Sequence, residues 1–195
     1  METVKHGNLT IEIRQDDFAD NPREWHNVGT MVCWHRRYTL GDQQPDHSPQ
    51  DYLLRLMQDR EFRQKRKCVP DDIDLSHAAK YVDKYFLVLP LYLYDHSGIS
   101  ISASLFGCQW DSGKVGFIYA ERKQVDNFDL LTTLLDEVKV YNQYLTGEVY
   151  EYAIKDDEDN ILDSGCGFHG LDYCKAEALA EAKMIANQLQ TSFAI

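Results

Sequence analysis

The sequence lacks a long apolar run and a surplus of basic residues. Of its 195 residues, 20 are Lys or Arg and 32 are Asp or Glu, so the formal net charge is −12. A protein that coats nucleic acid needs a basic surface to displace counterions from the phosphates. No stretch approaches the roughly 18 uncharged apolar residues of a membrane helix, and residues 1–6 contain no apolar segment typical of a secretory signal. We therefore expect a cytoplasmic protein that binds neither membranes nor nucleic acid directly.

Motifs for metals and common cofactors are also missing. The five cysteines include no Cys-x-x-Cys pair, so we expect reduced, mostly buried thiols and no zinc site. The acidic run 156–159 lacks the glycine and terminal glutamate spacing of a calcium-binding EF-hand loop. A Gly-x-Ser-x-Gly elbow and a phosphate-binding Gly-x4-Gly-Lys loop are absent as well. The sequence predicts no metal and no cofactor.

Length and composition favour one folded domain over residues 1–195. Apolar residues make up 44% and aromatic residues 12% of the chain, which is enough for a buried core and too rich for a disordered chain. Ser48 and Pro49 resemble the N-cap and first turn of a helix, and Pro90 indicates an edge or a bulge in its strand. Helical periodicity and period-two alternation predict the remaining elements. The predicted helices cover residues 49–67, 74 or 76 to 84, 129–144 and 171–190; the strands cover 9–14, 86–94, 99–106, 115–120, 149–155 and 161–168, and the apolar run 28–34 is strand-like but ambiguous.

These elements predict an α+β fold with an antiparallel sheet packed by about four helices. Turn residues separate the strands at 86–94, 99–106 and 115–120, so we expect a three-stranded meander. The strands at 149–155 and 161–168 are expected to form a C-terminal hairpin.

Acidic residues are concentrated in one part of the chain. Residues 126–163 contain eleven acidic and two basic residues, a net charge of −9. Such a surface can attract a basic partner, or it can be an ordinary solvated face. If it binds a partner, we expect the contacts to come from seven carboxylates: Glu148, Glu151, Asp156, Asp157, Glu158, Asp159 and Asp163.

Two loops offer candidate catalytic residues. Asp95, His96 and Ser97 supply a base and a hydroxyl on one turn, and Asp111 lies in the next loop. A straight strand over 99–106, at roughly 3.3 Å per residue, would place the two loops some 20 Å apart. The sequence therefore favours two separate capped turns, unless the second loop folds back to complete a site.

A third candidate is the aromatic and basic segment Trp34-His-Arg-Arg-Tyr38. Arg36 and Arg37 are suited to bidentate binding of a carboxylate or phosphate. They are equally suited to an internal ion pair with the acidic residues, so both interpretations stay open.

Several short segments between residues 21 and 174 form a distinctive set: Asn21-Pro-Arg-Glu-Trp25, Gly29-Thr-Met-Val-Cys-Trp-His-Arg-Arg-Tyr38, Leu40-Gly-Asp42, Tyr94-Asp-His-Ser-Gly98, Trp110-Asp-Ser-Gly113, Val115-Gly116, Tyr144-Leu-Thr-Gly147-Glu-Val-Tyr150 and Gly170-Leu-Asp-Tyr-Cys174. Together they resemble a family of small proteins carried by bacteriophages and mobile elements. One departure is Cys166, where relatives often carry tryptophan before Gly-Phe.

The resemblance implies a function in the conflict between mobile elements and their bacterial hosts. Together with the acidic segment, it favours a protein that binds and inhibits a bacterial defence effector of the restriction or CRISPR type by occupying a basic nucleic-acid groove. The alternative is a small hydrolase or nucleotide-acting enzyme that uses His96 as its base, with a substrate steered by Arg36 and Arg37. Self-association of the chain is a third open possibility.

Overall fold

The chain folds into four α-helices and eight β-strands within the residues described by a computed structural model, namely 1–63, 75–108, 110–122 and 127–192. All pairings between strands are antiparallel, which confirms the predicted α+β class. No helix in these ranges is long and apolar enough to cross a membrane. The elements are β1 (Glu2–His6), β2 (Leu9–Gln15), a 3-10 turn (Pro22–Glu24), β3 (Thr30–Cys33), α1 (Pro49–Arg63), α2 (Leu75–Tyr85), β4 (Phe86–Asp95), β5 (Ile99–Ser102), β6 (Ser112–Glu121), α3 (Asn127–Leu145), β7 (Val149–Lys155), β8 (Ile161–His169) and α4 (Leu171–Ser192).

Two compact units make up the chain. The first combines Met1–Pro22 with Val140–Ile195, and the second comprises Arg23–Lys139. The expectation of one domain over residues 1–195 stays a prediction. The predicted end of the first helix, residues 64–67, lies outside the described residues.

The first unit is a four-stranded sheet in the order β1-β2-β7-β8, with α4 packed on it. The predicted C-terminal hairpin is confirmed as β7 and β8. Alternate residues of β2 and β7 point towards α4 because side chains of a strand alternate between the two faces of a sheet. The small residues Cys174, Ala178 and Ala182 are fully buried there and let α4 approach the sheet closely.

The second unit contains the other four-stranded sheet, in the order β3-β6-β4-β5. The expected meander placed the segment 99–106 in the middle, and this order is wrong. Strand β5 ends at Ser102 and pairs only with β4 among the described strands, so it forms an edge, while β6 pairs on the other side of β4. Helices α1 and α2 pack together beside β4, with Leu56, Val82 and Phe86 in a common apolar cluster.

Local signals in the sequence explain two features of this unit. The Ser48 hydroxyl accepts a hydrogen bond of 3.1 Å from the backbone N–H of Asp51, which caps α1 as predicted. Pro90 pairs with β6 but lies before the stretch of β4 that pairs with β5, and a bulge follows between Leu91 and Tyr92. Pro90, which has no backbone N–H to donate, therefore lies outside the stretch of β4 that pairs with β5.

Candidate active site

The two loops that carry the candidate catalytic residues lie side by side. The backbone N–H of Asp95 donates a hydrogen bond of 2.8 Å to the carbonyl of Asp111. The Nδ1 atom of His96 lies 3.4 Å from Oδ2 of Asp111. The expected separation of 20 Å is wrong, because β5 ends at Ser102 and the chain then turns back towards the start of β6.

Further contacts fix the position of the Asp111 carboxylate. The Cys108 thiol donates to Oδ2 of Asp111 at 3.5 Å. The Ser112 hydroxyl donates to the carbonyl of Cys108, which closes the turn between them. With the Asp111 carboxylate beside Nδ1, Nε2 is the ring nitrogen of His96 that remains to act as a proton acceptor. The side chain of His96 is 63% exposed, so solvent and ligands can reach it.

The aromatic and basic segment 34–38 contacts the same loops. Arg37 forms an ion pair with Asp95 through Nη2, and the Tyr38 hydroxyl donates to the same carboxylate at 3.3 Å. The Nδ1 atom of His35 accepts backbone hydrogen bonds from Arg37 and Tyr38 at 3.3 and 3.2 Å, and its ring stacks on Tyr38. Arg36 is exposed and does not line the cleft described next. Of the two predicted arginines, Arg37 is the one at the site.

A cleft of about 340 Å³ lies between segment 34–38 and the loop before β6. We call it the loop cleft. Its size falls within the range of about 300–1,000 Å³ that is usual for ligand pockets. Cations, carboxylates and aromatic rings all line it, and its lining includes His35, Arg37, Asp95, Trp110, Asp111 and Lys114. His96 adjoins the cleft through its contact with Asp111.

An ionic network around the buried guanidinium of Arg23 anchors the chain segment that leads to the site. The guanidinium of Arg23 donates to both carboxylate oxygens of Asp42 at 2.9 and 2.6 Å and to Glu137 at 3.0 Å. Asp42 also accepts the backbone N–H of Met31, and Glu137 accepts that of Gly29. Burial acts to lower the pKa of Arg23, but the two carboxylates outweigh it and the pKa is raised. The network ties β3 and the loop after it to α3.

Sequence reasoning missed three residues of the site and included two, Arg36 and Ser97, that do not line the loop cleft. Ser97 is exposed at the tip of the β4–β5 turn, with φ of 59°. Cys108, Trp110 and Lys114 were not predicted. Cys108 lies three residues before Asp111, and Trp110 lies directly before Asp111. Their place in the same loop as Asp111 was the signal that could have identified these two residues.

The predicted acidic binding residues of the first unit are partly paired within the chain. Glu151 forms an ion pair with Arg14, and Asp163 accepts a hydrogen bond of 3.0 Å from the hydroxyl of Tyr152. Lys155 lies 2.8 Å from a carboxylate oxygen of Glu12. Glu148 is exposed.

The tip of the β7–β8 hairpin holds the remaining predicted carboxylates. Asp156 accepts hydrogen bonds from the backbone N–H groups of Glu158 and Asn160, both at 2.9 Å, and so shapes the turn. These contacts lower the pKa of Asp156, with the side-chain bond from Asn160 as the largest cause. Asp157, Glu158 and Asp159 are exposed, and Asp159 also lies 3.6 Å from Lys155. Asp126, which begins the acidic segment, lies outside the described residues.

No group of three or more His, Cys, Asp or Glu side chains in the described parts of the chain is arranged to hold a metal ion. Comparison with family models, with curated proteins and with solved structures finds no match in any of the three. The resemblance to a phage and mobile-element family therefore stays a prediction.

Proposed function

We propose that the second unit is a hydrolase that acts on a phosphate ester, with His96 as its general base. The observation that supports this best is the 3.4 Å contact between Nδ1 of His96 and Oδ2 of Asp111, which joins two loops next to a cleft that holds Arg37 and Lys114. A histidine whose Nδ1 lies beside a carboxylate, next to a cleft that contains two cationic side chains, is an arrangement that can support such a reaction.

The proposed reaction is the attack of water on the phosphorus atom. The Nε2 atom of His96 accepts a proton from the water while its oxygen forms the new bond to phosphorus. The bond between phosphorus and the ester oxygen breaks, and that oxygen leaves with the bonding electron pair. It then takes the proton back from the imidazolium, so the products are an alcohol and a phosphate. The Asp111 carboxylate stabilises the imidazolium between the two proton transfers.

Arg37 and Lys114 supply positive charge for the phosphate group. Arg37 uses one N–H group of its guanidinium on Asp95, and a guanidinium has five such donors in a fixed plane. The Asp95 contact therefore holds the side chain and leaves the other guanidinium donors free of this carboxylate and available for a phosphate in the cleft.

A turnover assay with the full chain tests this proposal. We expect slow hydrolysis of p-nitrophenyl phosphate or bis(p-nitrophenyl) phosphate, and a loss of about 100- to 10,000-fold in kcat for His96→Ala. Ser97→Ala is the matched control, since it changes the neighbouring residue on the same turn and should keep the wild-type rate. Equal rates for wild type and His96→Ala, or no turnover of either ester by the wild type, contradict the proposal.

A second candidate function follows from the acidic hairpin of the first unit. Asp157, Glu158 and Asp159 are exposed on a turn that the Asp156 carboxylate holds in place. A fixed group of negative charges favours a bacterial defence protein with a basic surface, which the phage resemblance also suggests. The ion pair of Glu151 with Arg14 removes charge from this surface, so we rank this function second.

Charge reversal tests the second candidate. We expect a defence protein recovered from the bacterial host to bind the wild-type chain in a salt-dependent manner. Changing Asp157, Glu158 and Asp159 to Lys should abolish that binding. The control changes three exposed acidic residues elsewhere in the same unit, Asp17, Asp172 and Glu177, to Lys. Loss of binding only in the hairpin variant supports the mechanism, and equal affinities for both variants exclude it.

A further inference from the structure

A second cavity of the same unit adjoins the loop cleft. It has a volume of about 390 Å³ and is lined mainly by apolar and aromatic residues. Trp34, Lys114 and Val115 line both cavities. We call this second cavity the apolar groove. A ligand that occupies both would therefore extend from an apolar surface to the candidate catalytic residues.

The apolar groove has a firmly held aromatic surface. The indole N–H of Trp34 donates a hydrogen bond of 2.7 Å to the carbonyl of His47. The ring centroids of Trp34 and Phe117 lie 5.5 Å apart, and Phe117 is buried. Pro49 and Leu53 from the start of α1 also line the groove. Planar heteroaromatic rings bind well to such surfaces because they stack on aromatic side chains.

Two polar side chains, Gln50 and Lys114, line the apolar groove beside its apolar residues. Gln50, in the first turn of α1, lines the groove and offers an amide that can both donate and accept hydrogen bonds. Lys114 lines both cavities, and Arg37 lies beyond it in the loop cleft. An apolar site with one amide therefore leads into the loop cleft, where Lys114 and the donors of Arg37 not used on Asp95 are available to a phosphate.

We propose that the substrate is a nucleotide whose base binds in the apolar groove and whose phosphate lies between Lys114 and Arg37. This inference rests on the proposed hydrolase function and names its substrate class. The phosphate would then lie in the loop cleft beside Asp111 and the adjoining His96. A nucleotide joins an aromatic ring to a phosphate through a sugar, which matches the order of surfaces from Phe117 to Arg37.

Trp110 is the other ring on which a base could stack. It lines the loop cleft, but it is 96% exposed. A ring stacked there would be covered on one face only, whereas the apolar groove provides Trp34 on one side and α1 residues as well. The apolar groove is therefore the better binding site for a base. Mutations in the groove and at Trp110 distinguish the two positions.

Equilibrium binding to the full-length His96→Ala variant, measured by calorimetry, tests the inference without turnover. The probes are the four common ribonucleoside monophosphates and ribose 5-phosphate. We expect at least one nucleotide to bind about tenfold more tightly than ribose 5-phosphate, as base stacking predicts. Gln50→Trp, which fills the groove from an exposed position, should remove this difference. The matched control is Gln188→Trp, the same exchange on the exposed surface of α4, and it should keep the difference.

Lys114→Ala should weaken the binding of the preferred nucleotide and of ribose 5-phosphate by a similar factor, because both contain the phosphate. Equal affinity for nucleotides and ribose 5-phosphate overturns the inference. So does a base preference that survives Gln50→Trp but is lost in Trp110→Ala. Nucleotide binding without turnover by the wild type leaves this inference standing and removes the hydrolase proposal. Ester turnover that depends on His96, without any preference for a nucleotide over ribose 5-phosphate, supports the hydrolase proposal and overturns this inference.

Discussion

The Nδ1 atom of His96 and the Oδ2 atom of Asp111 lie 3.4 Å apart although they belong to loops on either side of β5. This contact is possible because β5 is short. The chain leaves the sheet after Ser102 and returns to β6 beside the β4–β5 turn. Asp111 lines the loop cleft and also lies beside the imidazole, where we propose that it orients the ring.

Asp111→Asn tests this orienting role. We expect kcat for phosphate ester hydrolysis to fall by about 100- to 10,000-fold, because an amide no longer stabilises the imidazolium. The double variant His96→Ala/Asp111→Asn should be no slower than His96→Ala alone, since the two residues act as one unit. Asp83→Asn, at an exposed carboxylate of α2, serves as the control and should keep wild-type kcat and KM. Independent, multiplying effects of the two changes would contradict the orienting role.

Gly116 of β6 provides a test of the sheet that supports the site. A Cβ atom at this position would lie 1.9 Å from the carbonyl oxygen of Val32 on β3, whereas one at Gly113 on the same strand would meet nothing within 4 Å. Gly116→Ala should therefore lower the free energy of unfolding by about 3 kcal/mol, as measured by urea denaturation. Gly113→Ala is the matched control and should change it by less than about 0.5 kcal/mol. Similar losses in the free energy of unfolding for the two variants would show that β3 can shift away from β6 at little cost.

Local patterns in the sequence predicted much of the fold. The Ser48 cap and the helical periodicity of residues 129–144 and 171–190 depend on neighbours within a few positions, and the structure confirms the cap and both helices. Leu131 and Leu135 of α3 are exposed, so the buried stripe of this helix is narrower than its run of leucines.

The order of strands and the candidate site depend on distant residues, and the sequence did not predict them. Nothing in residues 99–106 marks Ser102 as the end of β5, so the expected strand was too long and the loops appeared to be far apart. The buried position of Arg23 was missed for the same reason, since its partners Asp42 and Glu137 come from distant parts of the chain.

The ionic network around Arg23 should contribute to stability. The Arg23 side chain is 3% exposed and bonds to both Asp42 and Glu137, whose carboxylates are partly exposed. Arg23→Ala removes the shared partner of these two carboxylates, and we expect a loss of about 1.5–3 kcal/mol in the free energy of unfolding. Arg36→Ala removes the same charge from an exposed position and should cost less than about 0.5 kcal/mol. Urea denaturation compares the two, and comparable losses would exclude a special role for the network.

The cysteines should differ sharply in reactivity. Burial raises the pKa of the Cys33 thiol to about 12 and that of Cys174 to about 11, so the thiolate needed for alkylation is scarce at about pH 8. Cys166 is exposed and should react with iodoacetamide at least about 100-fold faster than either of them. Peptide mapping of the native protein measures the three rates separately. Rapid labelling of Cys33 would show that β3 opens readily.

The first unit should lose stability in mild acid through His169. Burial lowers the pKa of His169 below its usual 6.5, and the hydrogen bond with the Val140 backbone opposes this only in part. Above the usual pKa, the imidazole is neutral in both the folded and the unfolded chain, and its full contribution to stability is present. As the pH falls, the unfolded chain binds the proton first, so the free energy of unfolding decreases until the pH passes the lowered pKa.

Replacing His169 with Gln should remove this dependence. The slope of the unfolding free energy against pH should fall by up to about 1.4 kcal/mol per pH unit between the lowered pKa and 6.5. Urea denaturation across that range measures the slope. His26→Gln replaces an exposed histidine of the second unit and should leave the slope unchanged. An unchanged slope in His169→Gln would mean that this imidazole takes up its proton without cost in the folded chain, which its burial beside α3 argues against.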